Sequence, residues 1–231
     1  MARSRKVNTT KNEIIQVATK MFLEKGYSNT SIKAIGDELG ISSGHVMFYF
    51  PTKEHLLEVL VEMMCEYQWQ IFRENAAEGN TSLLCVCLEL LVMAVIGEEN
   101  MHLRDLYTAA YTNPLPLAYI RKNDAERAKM VYQEYCKDWN EEQFTEAEIL
   151  ASGIEYAIYT AEPGRGSMEV RIRGALNSIM MIYNVPLNVR TDIIEQVLTS
   201  DYHKIGRDIC EGFVEYVETV NEQMMKEMLG Q

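Results

Sequence analysis

Between Ser43 and Lys53, in the run SGHVMFYFPTK, the chain collects side chains that suit contact with a nucleic acid better than they suit a reaction. Ser43, His45, Tyr49 and Lys53 carry hydroxyl, imidazole and ammonium donors for phosphate oxygens. Met47 and Phe48 offer apolar surface to sugars and thymine methyl groups. Gly44 lacks the Cβ that would hold a backbone away from a base edge. A cluster of His, Met, Phe and Tyr on one short segment is unusual for a face that meets only water. The plainer alternatives are an exposed imidazole at His45 and a solubilising helix start at Lys53.

Chemistry of other kinds finds no constellation. The sequence holds no P-loop, no dinucleotide glycine pattern, no HExxH and no nucleophile elbow. Pro163-Gly164-Arg165-Gly166 is glycine-rich, but it follows a helical pattern rather than a strand and reads as a loop. His45, His55, His102 and His203 lie far apart, without acidic partners at metal-ligand spacing. No catalytic residue, metal site or cofactor is expected. The five cysteines (Cys65, Cys85, Cys87, Cys136, Cys210) are odd in number and scattered, which suits buried thiols in a reducing compartment.

The candidate contact residues need helices to carry them. Thr10 with Glu13 three positions on has the pattern of a capping box, and Ile14, Ile15, Ala18, Met21 and Phe22 make one apolar helical face that Gly26 closes. Thr30 or Ser31 then caps a second helix bearing Ile32, Ile35 and Leu39, ended by Gly40. Ser42 or Ser43 caps a brief third helix, which Pro51 cannot continue, and Thr52 opens a long fourth. Val46 and Phe50, four apart, face inward onto Ile35 and Leu39, which leaves Ser43, Gly44, His45, Met47, Phe48 and Tyr49 outward. Further helical segments are expected at about 82–96, 101–111, 124–139, 145–160, 168–183, 189–198 and 202–228, with no period-two strand pattern. The fold class is all-α: a helix-turn-helix domain over residues 1–54 and a larger helical domain over 55–231.

Charge follows the same division. The chain carries a net −12, yet residues 1–55 hold eight Lys and Arg against five Asp and Glu, leaving the remainder at −15. A basic head on an acidic body suits a polyanion met by the head alone, although a solvated surface with a basic tail has the same composition. No apolar run approaches the ~18 residues of a membrane span, and the N-terminus lacks the apolar core of a signal peptide, so a cytoplasmic protein is expected.

The segment MFLEKGYSNTSIKAIGDELGISSGHVMFYFPTKEHLL resembles the N-terminal domain of TetR-type transcriptional regulators. The shared features are Gly26-Tyr27, the Thr30-Ser31 cap, the Gly40-Ile41-Ser42 turn, Gly44, Tyr49-Phe50, Lys53-Glu54 and Leu56-Leu57. The resemblance implies that Thr30 and Ser31 contact phosphate from the second helix. Ser43, Gly44 and His45 would open the recognition helix, Phe48 would touch bases or sugar, and Tyr49 and Lys53 would hold phosphates. Met47 stands at a contact position where the family usually has tyrosine, removing a hydroxyl donor. Gly36 stands where a small alanine is usual. The basic run Arg3-Ser4-Arg5-Lys6 reads equally as a minor-groove arm or as an inert tail.

For the body the resemblance implies an effector cavity, with Trp69, Tyr107, Tyr111, Tyr156 and Tyr159 as candidate lining residues. Tyrosines and methionines at helical spacing more often belong to a core. It also implies a homodimer built from two helices of each subunit, expected at 173–185 and at 202–228 through Ile205, Ile209, Phe213, Tyr216, Val217 and Val220. The function expected is that of a ligand-responsive bacterial regulator, a repressor released from a palindromic double-stranded DNA operator by an unknown small molecule. The alternative is a helix-turn-helix protein whose body docks a protein partner. An all-α enzyme with a vestigial head lacks any catalytic constellation.

Overall fold

The computed structural model describes residues 2–77, 81–162, 164 and 166–229, with backbone alone for 2–9, 76, 77 and 221–229. Among them are eleven helices and no strand. The head comprises α1 (Ala2–Lys25), α2 (Ile32–Leu39) and α3 (Ser43–Tyr49). The body comprises α4 (Lys53–Ala77), α5 (Ser82–Glu99), α6 (Met101–Thr112), α7 (Pro114–Tyr132), α8 (Glu141–Tyr159), α9 (Met168–Ile182), α10 (Leu187–Leu198) and α11 (Tyr202–Leu229).

Capping chemistry sets the head's turns. Ser31 Oγ accepts from Ala34 N at the start of α2, and Ser42 Oγ accepts from His45 N at the start of α3. Between them Gly40 takes the left-handed conformation at φ 66°, which glycine adopts without a Cβ clash. Gly36 has a different reason. The chain folds back so closely that Ile41 N donates to Gly36 O at 2.9 Å, and a Cβ on Gly36 would lie 2.7 Å from Ile41 O. The backbone of the turn occupies the space that alanine would need.

Two expected boundaries move. The α1 helix starts at Ala2, so Thr10 lies within it and does not cap it. The side chains of Arg3, Ser4, Arg5 and Lys6 lie outside the described residues, as do Pro163, Arg165 and the turn expected at 78–80. The α7 helix starts at Pro114 rather than near 124, because proline is tolerated in a first turn where its missing N–H has no intrahelical acceptor. It ends at Tyr132, and α8 begins behind a capping box in which Asn140 and Gln143 exchange side-chain and backbone bonds.

The core forms two clusters. One gathers α5, α7, α8, α9 and α10; the other joins the inner faces of α1, α2 and α3 (Ile14, Phe22, Ile35, Val46, Phe50) to Leu57, Leu60 and Val61 of α4, Leu106 of α6 and Val217 of α11. The boundary expected at residue 54 therefore falls inside one continuous hydrophobic cluster. The α11 helix packs on both clusters of its own chain. Ile205 and Ile209 pack on the body cluster, while Phe213, Tyr216, Val217 and Val220 pack on the head-side cluster of the same chain. Of its described apolar residues, Phe213 and Val217 are buried, Ile205, Ile209, Tyr216 and Val220 are partly buried, and Val214 is exposed.

Replacing Gly36 with Ala should destabilise the protein by about 1–3 kcal/mol, because the added methyl meets backbone rather than a yielding side chain. Urea unfolding measures it; an unchanged midpoint would mean that the turn relaxes freely.

Candidate functional site

On α3 the inward and outward residues separate cleanly. Val46 is fully buried and Phe50 nearly so, whereas Gly44, His45, Met47 and Phe48 are exposed, Phe48 to 74%. Ser43 and Tyr49 are intermediate. The Tyr49 ring stacks on His45 with centroids 5.7 Å apart and meets Phe48 edge-on at 5.2 Å, so the three rings form one outward patch. Gly44 is informative by contrast with Gly36. Nothing inside the protein approaches a Cβ built there more closely than Ser42 Oγ, at 3.9 Å. The fold does not require glycine at this position.

Two expected phosphate ligands are placed otherwise. Thr30 is only 2% exposed, and its hydroxyl donates to Gly26 O (2.9 Å) and Met21 O (3.3 Å), so it locks the α1–α2 loop from within. Ser31 is the exposed member of the pair. The Lys53 ammonium donates to the carbonyls of Tyr27 (2.9 Å) and Thr30 (3.0 Å) and lies 3.9 Å from the centre of the Tyr27 ring. Burial lowers its pKa, against the opposing pull of Glu54 and Asp105. Lys53 thus fastens α4 to the head, with one ammonium proton left for an outside acceptor.

A second fastening comes from α6. Asp105 Oδ2 accepts from Ser28 N at 2.7 Å and Oδ1 from Ser28 Oγ at 2.5 Å. The same helix carries Tyr107 and Tyr111, both of which line an interior cavity.

That cavity, of about 90 Å³, lies between α4, α5, α6, α7, α8 and α9. A larger one, about 420 Å³, lies against α4, α5 and α11 and shares Met64, Gln68, Glu89, Met93 and Tyr107 with the first. Of the expected lining residues, Tyr107, Tyr111 and Tyr159 line the smaller cavity. Trp69 and Tyr156 line neither. The Trp69 indole donates to Asn123 Oδ1 at 2.8 Å and presents its face to Arg127, while Tyr156 is 38% exposed on the outer side of α8.

Sequence reasoning missed the charges. Glu89, Asp124, Arg127, Glu148 and Glu155 all line the smaller cavity. Arg127 makes a two-pronged ion pair with Glu89 at 3.0 and 2.5 Å and reaches Asp124 at 3.9 Å. Burial works against its charge, but Glu89 and Asp124 outweigh that and raise its pKa. Tyr111 donates to Glu155 at 2.8 Å, and Tyr183 to Glu148 at 3.3 Å. Burial, then the neighbouring carboxylates, raise the pKa of Glu148 and of Glu155; burial also raises that of Asp124, against the pull of Arg127. The available signal was position: Glu148 and Glu155 fall in line with the buried Phe144, Ala151 and Tyr159 on α8, and Glu89 interrupts the apolar run 83–97 of α5.

Residues 14–60 match the model of the family described as "Bacterial regulatory proteins, tetR family". The match lies within the head and the start of α4. Curated relatives match part of the chain. A probable HTH-type transcriptional regulator, YttP of Bacillus subtilis (strain 168), is 29% identical over 94 residues, 41% of this chain and 45% of that one. The HTH-type transcriptional repressor KstR2 of Mycobacterium tuberculosis (strain H37Rv) is 29% identical over 68 residues, 29% of this chain and 34% of the relative. YuxN of Bacillus subtilis (strain 168), an uncharacterised HTH-type transcriptional regulator, is 50% identical over 44 residues, 19% of this chain and 15% of its own. The chain spans less than half the length of these relatives. A solved structure, a gamma-butyrolactone receptor (ArpA like protein), overlaps 88% of this chain and 99% of its own at 19% identity and a TM-score of 0.42, too loosely to bear on function. No helix among the described residues is long and apolar enough to cross a membrane.

The raised carboxyl pKa values carry a sign. A proton that Glu148 or Glu155 releases above about pH 4–5 in the unfolded chain stays bound in the folded protein, so their contribution to stability falls as pH rises from there through neutrality. Glu148→Gln, which is neutral at every pH, should leave the melting temperature near the parent's at pH 5 and raise it above the parent's at pH 8. Parallel thermal melts check this; a constant gap between the two proteins would show that Glu148 does not titrate abnormally.

Proposed function

We propose that this chain is a homodimeric DNA-binding transcriptional regulator, a repressor that a small-molecule effector releases from a palindromic operator. The observation that carries the DNA reading is Gly44 beside the outward His45, Met47 and Phe48. A glycine that nothing inside the protein requires, at the start of a helix whose other face is fully packed, suits close approach to a surface outside the molecule. Ser31 and Tyr49 flank it as phosphate donors. Lys53 and Thr30 contribute by holding the loop that presents them.

The effector would sit in the interior cavities. Both are reached by α4, whose first turns belong to the head cluster, and by Tyr107 of α6, whose Asp105 grips Ser28. A ligand that shifts either helix biases the position of α3 relative to its copy in the partner subunit. Cavities of this size suit a small ligand and are not needed for docking a protein partner.

For the dimer, α9 retains its expected part and α8 replaces α11. Leu150 and Tyr156 on α8, with Val170 and Met181 on α9, form an exposed apolar face on two helices that pack together. Gly153 and Gly174 lie on that face with nothing within 4 Å of a Cβ built on either. A second copy laid against it completes a four-helix bundle with close backbone approach at the glycines. Two heads then read half-sites about 34–36 Å apart.

Gel-shift titration with the DNA upstream of its own coding sequence tests the reading. A sequence-selective complex that weakens steeply between about 50 and 200 mM salt is expected. Binding indifferent to sequence and salt overturns it. Gly44→Ala should raise stability by about 0.5–1 kcal/mol while weakening that complex at least about tenfold, a split that a purely structural glycine would not show. Separately, Leu150→Glu should convert the dimer to a folded monomer in sedimentation equilibrium; a persistent dimer would place the interface elsewhere.

A further inference from the structure

The interior acids face a void with too little positive charge beside them. Four carboxylates line the smaller cavity (Glu89, Asp124, Glu148 and Glu155), and Arg127, already paired with Glu89, is the cation among them. One oxygen from each of Asp124, Glu148 and Glu155 lies within 4.8 Å of the others. Glu148 is only 4% exposed, and its Oε1 has no hydrogen-bond partner although it lines the cavity. A buried carboxyl oxygen without a partner is costly, and a fold that keeps one beside a void leaves room for a polar group from outside.

We propose that this cluster binds the protonated nitrogen of an amphiphilic organic amine whose apolar part extends into the larger cavity. A primary ammonium brings three N–H donors, one for each of Asp124, Glu148 and Glu155; its binding expels the protons that Glu148 and Glu155 hold in the free protein, and it would complete Glu148 Oε1. The rings of Tyr107, Tyr111 and Tyr159 stand around the same space, tilted against one another at centroid distances of 5.6–5.8 Å, and aromatic walls favour a cation. The neighbouring 420 Å³ cavity distinguishes an organic amine from a metal ion. Its lining of Ile71, Phe72, Val92, Ile96, Ile209 and Phe213 suits hydrocarbon, and Met64 and Met93 belong to both cavities. A bare divalent ion would use the carboxylates and leave that space unexplained.

The inference rests on reading these cavities as the effector site, so the test separates binding from DNA release. The full-length protein, free of DNA, is titrated with n-octylamine, n-octanol and octanoate by calorimetry and by the fluorescence of Trp69, whose ring lies beside Arg127. The amine should bind at least about tenfold more tightly than the alcohol, and octanoate more weakly than both. Glu148→Gln and Glu155→Gln should each erase most of the preference for amine while leaving octanol affinity within about threefold of the parent. Equal affinity for amine and alcohol overturns the proposal. So does a preference unchanged in both variants, or stoichiometric binding of Mn²⁺ that excludes the amine. If the amine binds and a gel shift shows the operator still held, the release mechanism fails and this site stands.

Discussion

Head and body share one helix. The first turns of α4 close the core of the head through Leu57 and Leu60, and its later turns wall both cavities through Met64 and Gln68. The Lys53 ammonium nails its start to the carbonyls of Tyr27 and Thr30. An α-helix is stiff along its axis, so a displacement at Met64 cannot be absorbed before Leu57. Most other features follow from that stiffness. The α6 helix adds a second strut through Asp105, and α11 runs across both ends, packing on the body core and on the head-side core alike.

The head was legible in its residues because its determinants are local. The spacing of Ile14, Ala18, Phe22, Ile35, Val46 and Phe50 marks the buried side, and Gly40 and Pro51 mark the stops. What local pattern cannot supply is tertiary destination. Thr30 and Ser31 are equally good caps on paper; only the packing of the α1–α2 loop decides that Thr30 turns inward to Met21 and Gly26. Lys53 looks like a helix-start cation and is one, but its nearest acceptors belong to a loop more than twenty residues earlier. The proline-rich run at 113–117 contains a turn signal and a helix start superimposed, and the helix won.

The body was legible in class and less so in detail. An apolar stripe on a helix shows that a face is covered without showing by what, and on α11 Phe213 and Val217 are covered by the chain itself. The aromatic residues divided the same way: Tyr107, Tyr111 and Tyr159 reach the cavity, while Trp69 braces Asn123 and Arg127. The buried charges were hidden because an isolated Glu within a helix usually faces water. Only the register of Glu148 and Glu155 with Phe144 and Tyr159 would have separated them from the many exposed acids of this chain.

Met47 and Phe48 hold nothing together inside the protein, and the carboxylates around Arg127 lie on α5, α7 and α8, none of which carries the outward residues of α3. Two sets of side chains can therefore drift independently while the scaffold between them stays constant. A lineage that duplicated this gene could retune one surface without repairing the other, and an engineer could graft a new target sequence onto an unchanged sensor. The buried Val46 and Phe50 mark where that freedom ends.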